Sequence, residues 1–261
     1  MPVQPPRFLP FGWLHLAMLA GIACAAIVWI RWARNENDES RLRHVEEMVA
    51  YANLVLFVVI RLYLLTPSQF KWSVWPPFGM CDIVSLLASI KLLNRDSRWL
   101  SIALYFGGVG LCTNALITPD LVEGPREFEF WAFWLRHAAI IVVAAYDLAV
   151  LGFRPGWRDW RRACALGFFY IAAVSAINVP LGFNFGFMGD SLPGKPSVLD
   201  FLGAWPLRLV WVVLIVGLLW ALMTLPFAWI SRPTRSSRPG APAAWHRRSG
   251  TRPSPATPAH R

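Results

Sequence analysis

Two side chains in this sequence have the parts for covalent chemistry, Cys81 and His137. A thiol is the most nucleophilic ordinary side chain near neutral pH once a base removes its proton, and imidazole is the usual base for that task. Polar groups set in otherwise apolar sequence accompany them: Asp82 beside the cysteine, Arg136 beside the histidine, and Arg61, Asn114, Asn178 and Asn184 elsewhere along the chain. Arg61 and Arg136 are candidate partners for Asp82, because a lone charge in apolar surroundings would go uncompensated. Asn114 or Arg136 could stabilise a developing oxyanion. Asn114 and Asn178 also read as hydrogen-bonding groups between helices, and Arg61 as an anchor reaching toward lipid headgroups. Cys81, Ser85 and Ser89 recur every four residues and so share a helix face. The other cysteines, Cys24, Cys112 and Cys164, read as packing residues outside this pocket. With no C-x-x-C pair, neither a zinc knuckle nor a thioredoxin-like motif is supported; the expected cofactor is none, and the expected metal none.

The elements that must position these groups are membrane helices. Of the 261 residues, 56% are hydrophobic and only 15% charged, where a soluble domain carries roughly a quarter charged residues. Long apolar runs recur, and a bilayer core about 30 Å thick needs roughly 20 apolar residues of helix. Helix is the expected form because lipid offers no partner to backbone N–H and C=O groups. The reading is an all-α, polytopic transmembrane bundle of about seven spans, near 11–30, 48–65, 78–93, 99–117, 130–151, 163–182 and 207–230, the third of them short. The first does not read as a convincing signal peptide, since Arg31 and Arg34 follow its apolar run instead of preceding it. Gly107, Gly108 and Gly110 in the fourth span predict close helix packing.

Loop charges set the orientation. The first, third and fifth connections and the C-terminal tail hold 18 of the lysines and arginines; the opposite side holds 4. The positive-inside rule then places the N-terminus outside and the C-terminus inside. In that frame Arg61, Cys81, Asp82, Asn114, Arg136, His137 and Asn178 gather in the outer half, with His15 near the outer edge as a structural group. Asp147 is the exception, roughly 16 Å from Arg136 along the fifth helix at 1.5 Å per residue, and so no partner for it.

Residues 1–230 thus form the transmembrane domain. Residues 231–261 are rich in Pro, Arg and Ser with no acidic residue; they should be a disordered, basic cytoplasmic tail. The net charge of +10 reads as topology and attraction to anionic lipid, not as nucleic-acid binding. The expected location is the cell membrane, with membrane lipids as partners.

The order of motifs carries a resemblance. Pro77-Phe78-Gly79-Met80-Cys81-Asp82 opens the third span; Gly110 and Asn114 through Leu121 close the fourth; Arg136-His137 lie in the fifth. Asn178-Val179-Pro180 through Phe185 close the sixth, and Lys195-Pro196-Ser197 and Gly203-Ala204-Trp205-Pro206 lead into the seventh. Over about residues 10–230 this resembles the YwaF-type integral membrane family, itself distantly similar to an animal membrane acyltransferase that remodels ether phospholipids. The resemblance implies that Cys81 accepts an acyl group and His137 assists. The sequence departs from the family pattern at Gly79, where the family has histidine, at Phe185, where it has tyrosine, and at Leu207 and Arg208, where a tyrosine usually follows Trp-Pro.

Two functions follow from these residues. One is lipid acyl transfer through a Cys81 thioester with His137 as base, a phospholipid or lysolipid being the substrate. The alternative is a non-catalytic ligand-binding or transport protein with an outward-facing polar pocket.

Overall fold

The computed structural model describes residues 8–190 and 198–230. The described residues are helical, with no strand among them. Seven helices succeed one another: α1 (Trp13–Asn35), α2 (Glu39–Tyr63), α3 (Met80–Leu93), α4 (Arg98–Ile117), α5 (Phe128–Ala149), α6 (Trp157–Leu181) and α7 (Arg208–Ile230). Short 3-10 turns, Phe185–Phe187 and Val198–Leu202, lie between α6 and α7. The tail expected to be disordered and the Lys195-Pro196-Ser197 motif lie outside the described residues.

Five of the helices, α1, α4, α5, α6 and α7, are long and apolar enough to cross a membrane. The other two fall short for different reasons. α2 carries Glu39, Arg41, Arg43, Glu46 and Glu47 in its first three turns. α3 has 14 residues, about 21 Å of helix against a core of about 30 Å.

Several helices start earlier than hydropathy predicts, because capping extends them into polar sequence. The Asp38 side chain accepts the Ser40 and Arg41 amides and starts α2 nine residues before the apolar run. At the start of α6 the Asp159 side chain, three residues into the helix, reaches back to accept the amide of the capping residue Gly156. α6 ends at Gly182, whose φ of 62° is the left-handed conformation that glycine adopts at helix ends.

Side-chain links define two ends of the bundle. At one end His15 of α1 bonds the Leu116 carbonyl at the end of α4 (2.7 Å), and Arg61 near the end of α2 meets Asp82 at the start of α3. His15 also accepts the Phe11 amide, so both its ring nitrogens are engaged and its role is structural. At the opposite end Arg34 donates to the Ala149 carbonyl, Arg98 forms a two-point pair with Asp159 at 2.8 and 2.6 Å, and the wholly buried Glu46 accepts from Arg43, Arg95 and the Tyr146 hydroxyl. Asp147 pairs there with Lys91 at 3.3 Å, both side chains buried, and not with Arg136. Successive helices therefore run antiparallel.

The centre is α4, whose stretch Ala103–Cys112 is wound as π-helix. A Cβ on Gly108 would stand 2.9 Å from the Ile140 side chain of α5, and one on Gly110 would stand 2.8 Å from Trp220 of α7. Glycine at these two positions is what lets α4 pack against both neighbours.

Candidate active site

α3 begins after Gly79, so Cys81 is its second residue. The first amides of a helix have no partner within it, and its N-terminal end carries a partial positive charge. Both features favour a thiolate there. The thiol is partly buried and packs in the cluster that holds Cys112, Val84 and Ile140. It interacts with His137 and with Cys112.

His137 is almost wholly buried on α5. Its Nδ1 lies 2.7 Å from the Phe133 carbonyl oxygen, one turn back on the same helix. A carbonyl only accepts, so Nδ1 carries the proton and Nε2 keeps its lone pair. That Nε2 is buried and has no hydrogen-bond partner. The Phe133 ring lies against the imidazole, centroids 4.3 Å apart, and helps fix its orientation.

Asp82 follows Cys81 and gathers two arginines. Its Oδ1 accepts from Arg61 of α2 at 3.0 Å and from Arg136 of α5 at 2.6 Å. Arg61 also donates to the Trp75 carbonyl at 2.9 Å and lies over the Phe57 ring. The three charges tie α2, α3 and α5 together directly beside the cysteine and histidine.

Other candidates from the sequence stand elsewhere. Asn114 is exposed, and its side chain makes no hydrogen bond among the described residues. Asn178 is buried, but its amide clasps Phe185 from both sides, donating to the carbonyl at 3.0 Å and accepting the N–H at 2.9 Å. Asn184 accepts the Gly189 amide at 2.8 Å. These two asparagines build the turn after α6. That turn bears on the site through Phe185, whose ring packs edge-on against Phe78, and Phe78 leads into α3. Ser85 and Ser89 are engaged by Asn53 of α2, which donates to the Ser85 carbonyl at 2.8 Å and the Ser89 hydroxyl at 2.7 Å.

Two residues at the site were not legible from sequence. Cys112, expected to be a packing residue outside the pocket, instead touches Cys81 from the last residue of the π-helical stretch. A π-turn adds a residue to the helical repeat, so the face it presents does not follow from a 3.6-residue period. Tyr170 of α6 donates to the Phe78 carbonyl at 2.9 Å and helps hold the segment before α3.

A cavity of about 340 Å³ lies between α3, α4, α6 and α7; it reaches α3 at Met80 and Val84, and neither Cys81 nor His137 lines it. Met80, Val84, Phe106, Gly107, Tyr170 and Trp220 are among its lining residues, and the lining is almost wholly apolar. Such a space suits a hydrocarbon chain better than an ion. No group of three His, Cys, Asp or Glu side chains that could hold a metal is found among the described residues.

The model of the TMEM164 family matches the chain over residues 10–224. No curated protein and no solved structure matches it.

Proposed function

The chain belongs to the TMEM164 family and is a multi-pass integral membrane protein; from that premise we propose that it moves fatty acyl chains between lipids through a thioester on Cys81. The observation that carries the reading is the His137 imidazole. Its Nδ1 proton is committed to the Phe133 carbonyl, its buried Nε2 has no hydrogen-bond partner, and Cys81 is among the groups it acts on electrostatically. The apolar cavity next to Met80 supports an acyl substrate. The resemblance to YwaF-type proteins and to the animal ether-phospholipid acyltransferase points the same way.

In the first half-reaction Nε2 takes the thiol proton and the sulfur attacks an ester carbonyl of a phospholipid. The carbonyl oxygen becomes an oxyanion, which the unpaired first amides of α3 can receive. The C–O bond then breaks, the protonated His137 returns its proton to the departing alkoxide, and a lysolipid leaves. In the second half-reaction Nε2 takes the proton of an acceptor hydroxyl. The new alkoxide attacks the thioester, and the Cys81 thiolate departs and is reprotonated by His137. Burial of the imidazole excludes water from the base and favours a lipid acceptor over hydrolysis.

The site end of the bundle then faces the outer leaflet of the cell membrane, with Trp72 and Trp75 of the α2–α3 connection at headgroup depth, where indole rings are favoured. Acyl esters of a phospholipid lie just below that depth, within reach of the first turn of α3. The test is the phospholipid acyl profile of membranes carrying the wild type or Cys81→Ser at matched expression. A profile altered by the wild type alone supports the reading; identical profiles reject it and favour the ligand-binding alternative.

A further inference from the structure

The Arg61–Asp82–Arg136 cluster holds two positive charges and one negative. Both guanidinium groups meet the same oxygen of Asp82, and no second carboxylate pairs with either arginine among the described residues. Glu129, two turns before Arg136 on α5, is bonded to the Tyr63 hydroxyl instead. The cluster therefore keeps about one unit of positive charge, and a charge at membrane depth is costly without a counter-charge. Each arginine also retains donor capacity. The Nε of Arg61 and the Nε of Arg136 are buried and have no hydrogen-bond partner. The side chains are 13% and 21% exposed, so the charge reaches an accessible surface.

We propose that Arg61 and Arg136 form a binding site for a phosphate group, and that the phosphate is that of the phospholipid whose ester Cys81 attacks. The inference rests on the acyl-transfer reading for its placement. Guanidinium groups suit phosphate because their planar, forked N–H groups match two phosphate oxygens at once. Asp82 holds the two forks apart and in register, and leaves one charge for the ligand. The geometry couples the site to the chemistry through the chain itself: Asp82 adjoins Cys81, and Arg136 adjoins His137. The charge of Arg136 acts on the Cys81 sulfur. A phosphate held there brings the glycerol esters of the same lipid to the thiol and sends one chain toward the apolar cavity lined by Met80 and Val84. Binding energy from a part of the substrate that does not react is thereby used to orient the part that does.

The test uses full-length protein carrying Cys81→Ser, so that lipid retention is read without acyl transfer. The protein is exposed in detergent to phosphatidylcholine, to a galactosyl diacylglycerol with the same chains, and separately to glycerophosphocholine and inorganic phosphate. Retained ligand is read by native mass spectrometry. The expected result is that phosphatidylcholine is retained over the galactolipid, and that Arg136→Gln or Arg61→Gln lowers its retention about tenfold, the worth of one charge-assisted hydrogen bond. Arg136→Lys, which keeps the charge but loses the fork, should fall between. Asp82→Asn removes the negative charge; it should hold or raise phospholipid retention. Loss of retention in Asp82→Asn protein that still melts like the parent would overturn the proposal, as would equal retention of the galactolipid. Retention of glycerophosphocholine or inorganic phosphate at least as strong as that of phosphatidylcholine, lost with Arg136→Gln, would keep the phosphate site and reject the lipid as its source. Failure of the acyl-transfer reading leaves these retention results intact, so the two are separable.

Discussion

At the scale of single residues, the site depends on which nitrogen of His137 holds the proton. The Phe133 carbonyl decides this, and the choice leaves Nε2 as the nitrogen that would act as base on the proposed nucleophile at the start of α3. His137→Ala should stop acyl transfer while the thiol remains, because a thiol without a base stays mostly protonated in apolar surroundings. Lipid profiling of the variant at matched expression checks this; an unchanged profile would remove His137 from the mechanism. Cys112→Ser carries a different expectation. Its side chain touches Cys81, so exchange of sulfur for a smaller oxygen should slow transfer, where Cys164→Ser, next to α7 and away from the site, should not. Equal rates for the two variants would show that Cys112 only fills space. Cys81, His137 and Asp82 stood out in the sequence because a polar atom in an apolar run has few uses. Cys112 did not, since its neighbour is set by a local change of helical period. Asn178 and Asn184 stood out equally, yet each bonds backbone in a turn, and sequence does not separate a polar group that reacts from one that holds a loop.

At the scale of elements, hydropathy located the apolar core of each helix and missed what lies beyond it. Apolar runs mark where lipid would be; the early starts of α2 and α6 come from Asp38 and Asp159, whose capping bonds hold helix in polar sequence. The π-helical winding of α4 left no readable pattern, although its glycines did announce close packing. Gly108→Val should therefore be strongly disruptive. Its Cβ alone would sit 2.9 Å from Ile140, and overpacking of this kind costs about 1–3 kcal/mol. The check is thermal melting in detergent, with Ile140→Ala added as a second change. Partial recovery in the double variant confirms the contact; none would place the damage elsewhere. Asn178→Ala should lower the melting temperature too, since it strips partners from the buried Phe185 backbone, at about 1–3 kcal/mol. Lost transfer with unchanged melting would instead assign Asn178 to the chemistry.

At the scale of the whole molecule, the bundle separates its charges by end. At the Glu46 end the buried Lys91–Asp147 pair joins α3 to α5 and the Tyr146–Glu46 hydrogen bond joins α5 to α2, and Arg34 and Arg98 add α1, α4 and α6. The reactive groups collect at the other end. The 18-to-4 division of basic residues predicts that the Glu46 end is cytoplasmic. A reporter fused after Arg261 should be cytoplasmic and one before Met1 should not; both on one side would refute an odd number of crossings. With α2 and α3 short of a full apolar span, a second reporter in the α2–α3 connection decides whether they cross as a pair: outside if they do, cytoplasmic if they do not. The central claim, however, is a covalent bond at one sulfur. Its most direct measurement is the intact mass of the full-length protein after incubation with an ester-linked phospholipid and no acceptor. The account predicts a single added acyl mass, released by hydroxylamine, mapping to Cys81 and absent from both Cys81→Ser and His137→Ala. A wild-type protein that carries no such adduct while membranes containing it still remodel their lipids, or an adduct that persists in Cys81→Ser, would contradict it.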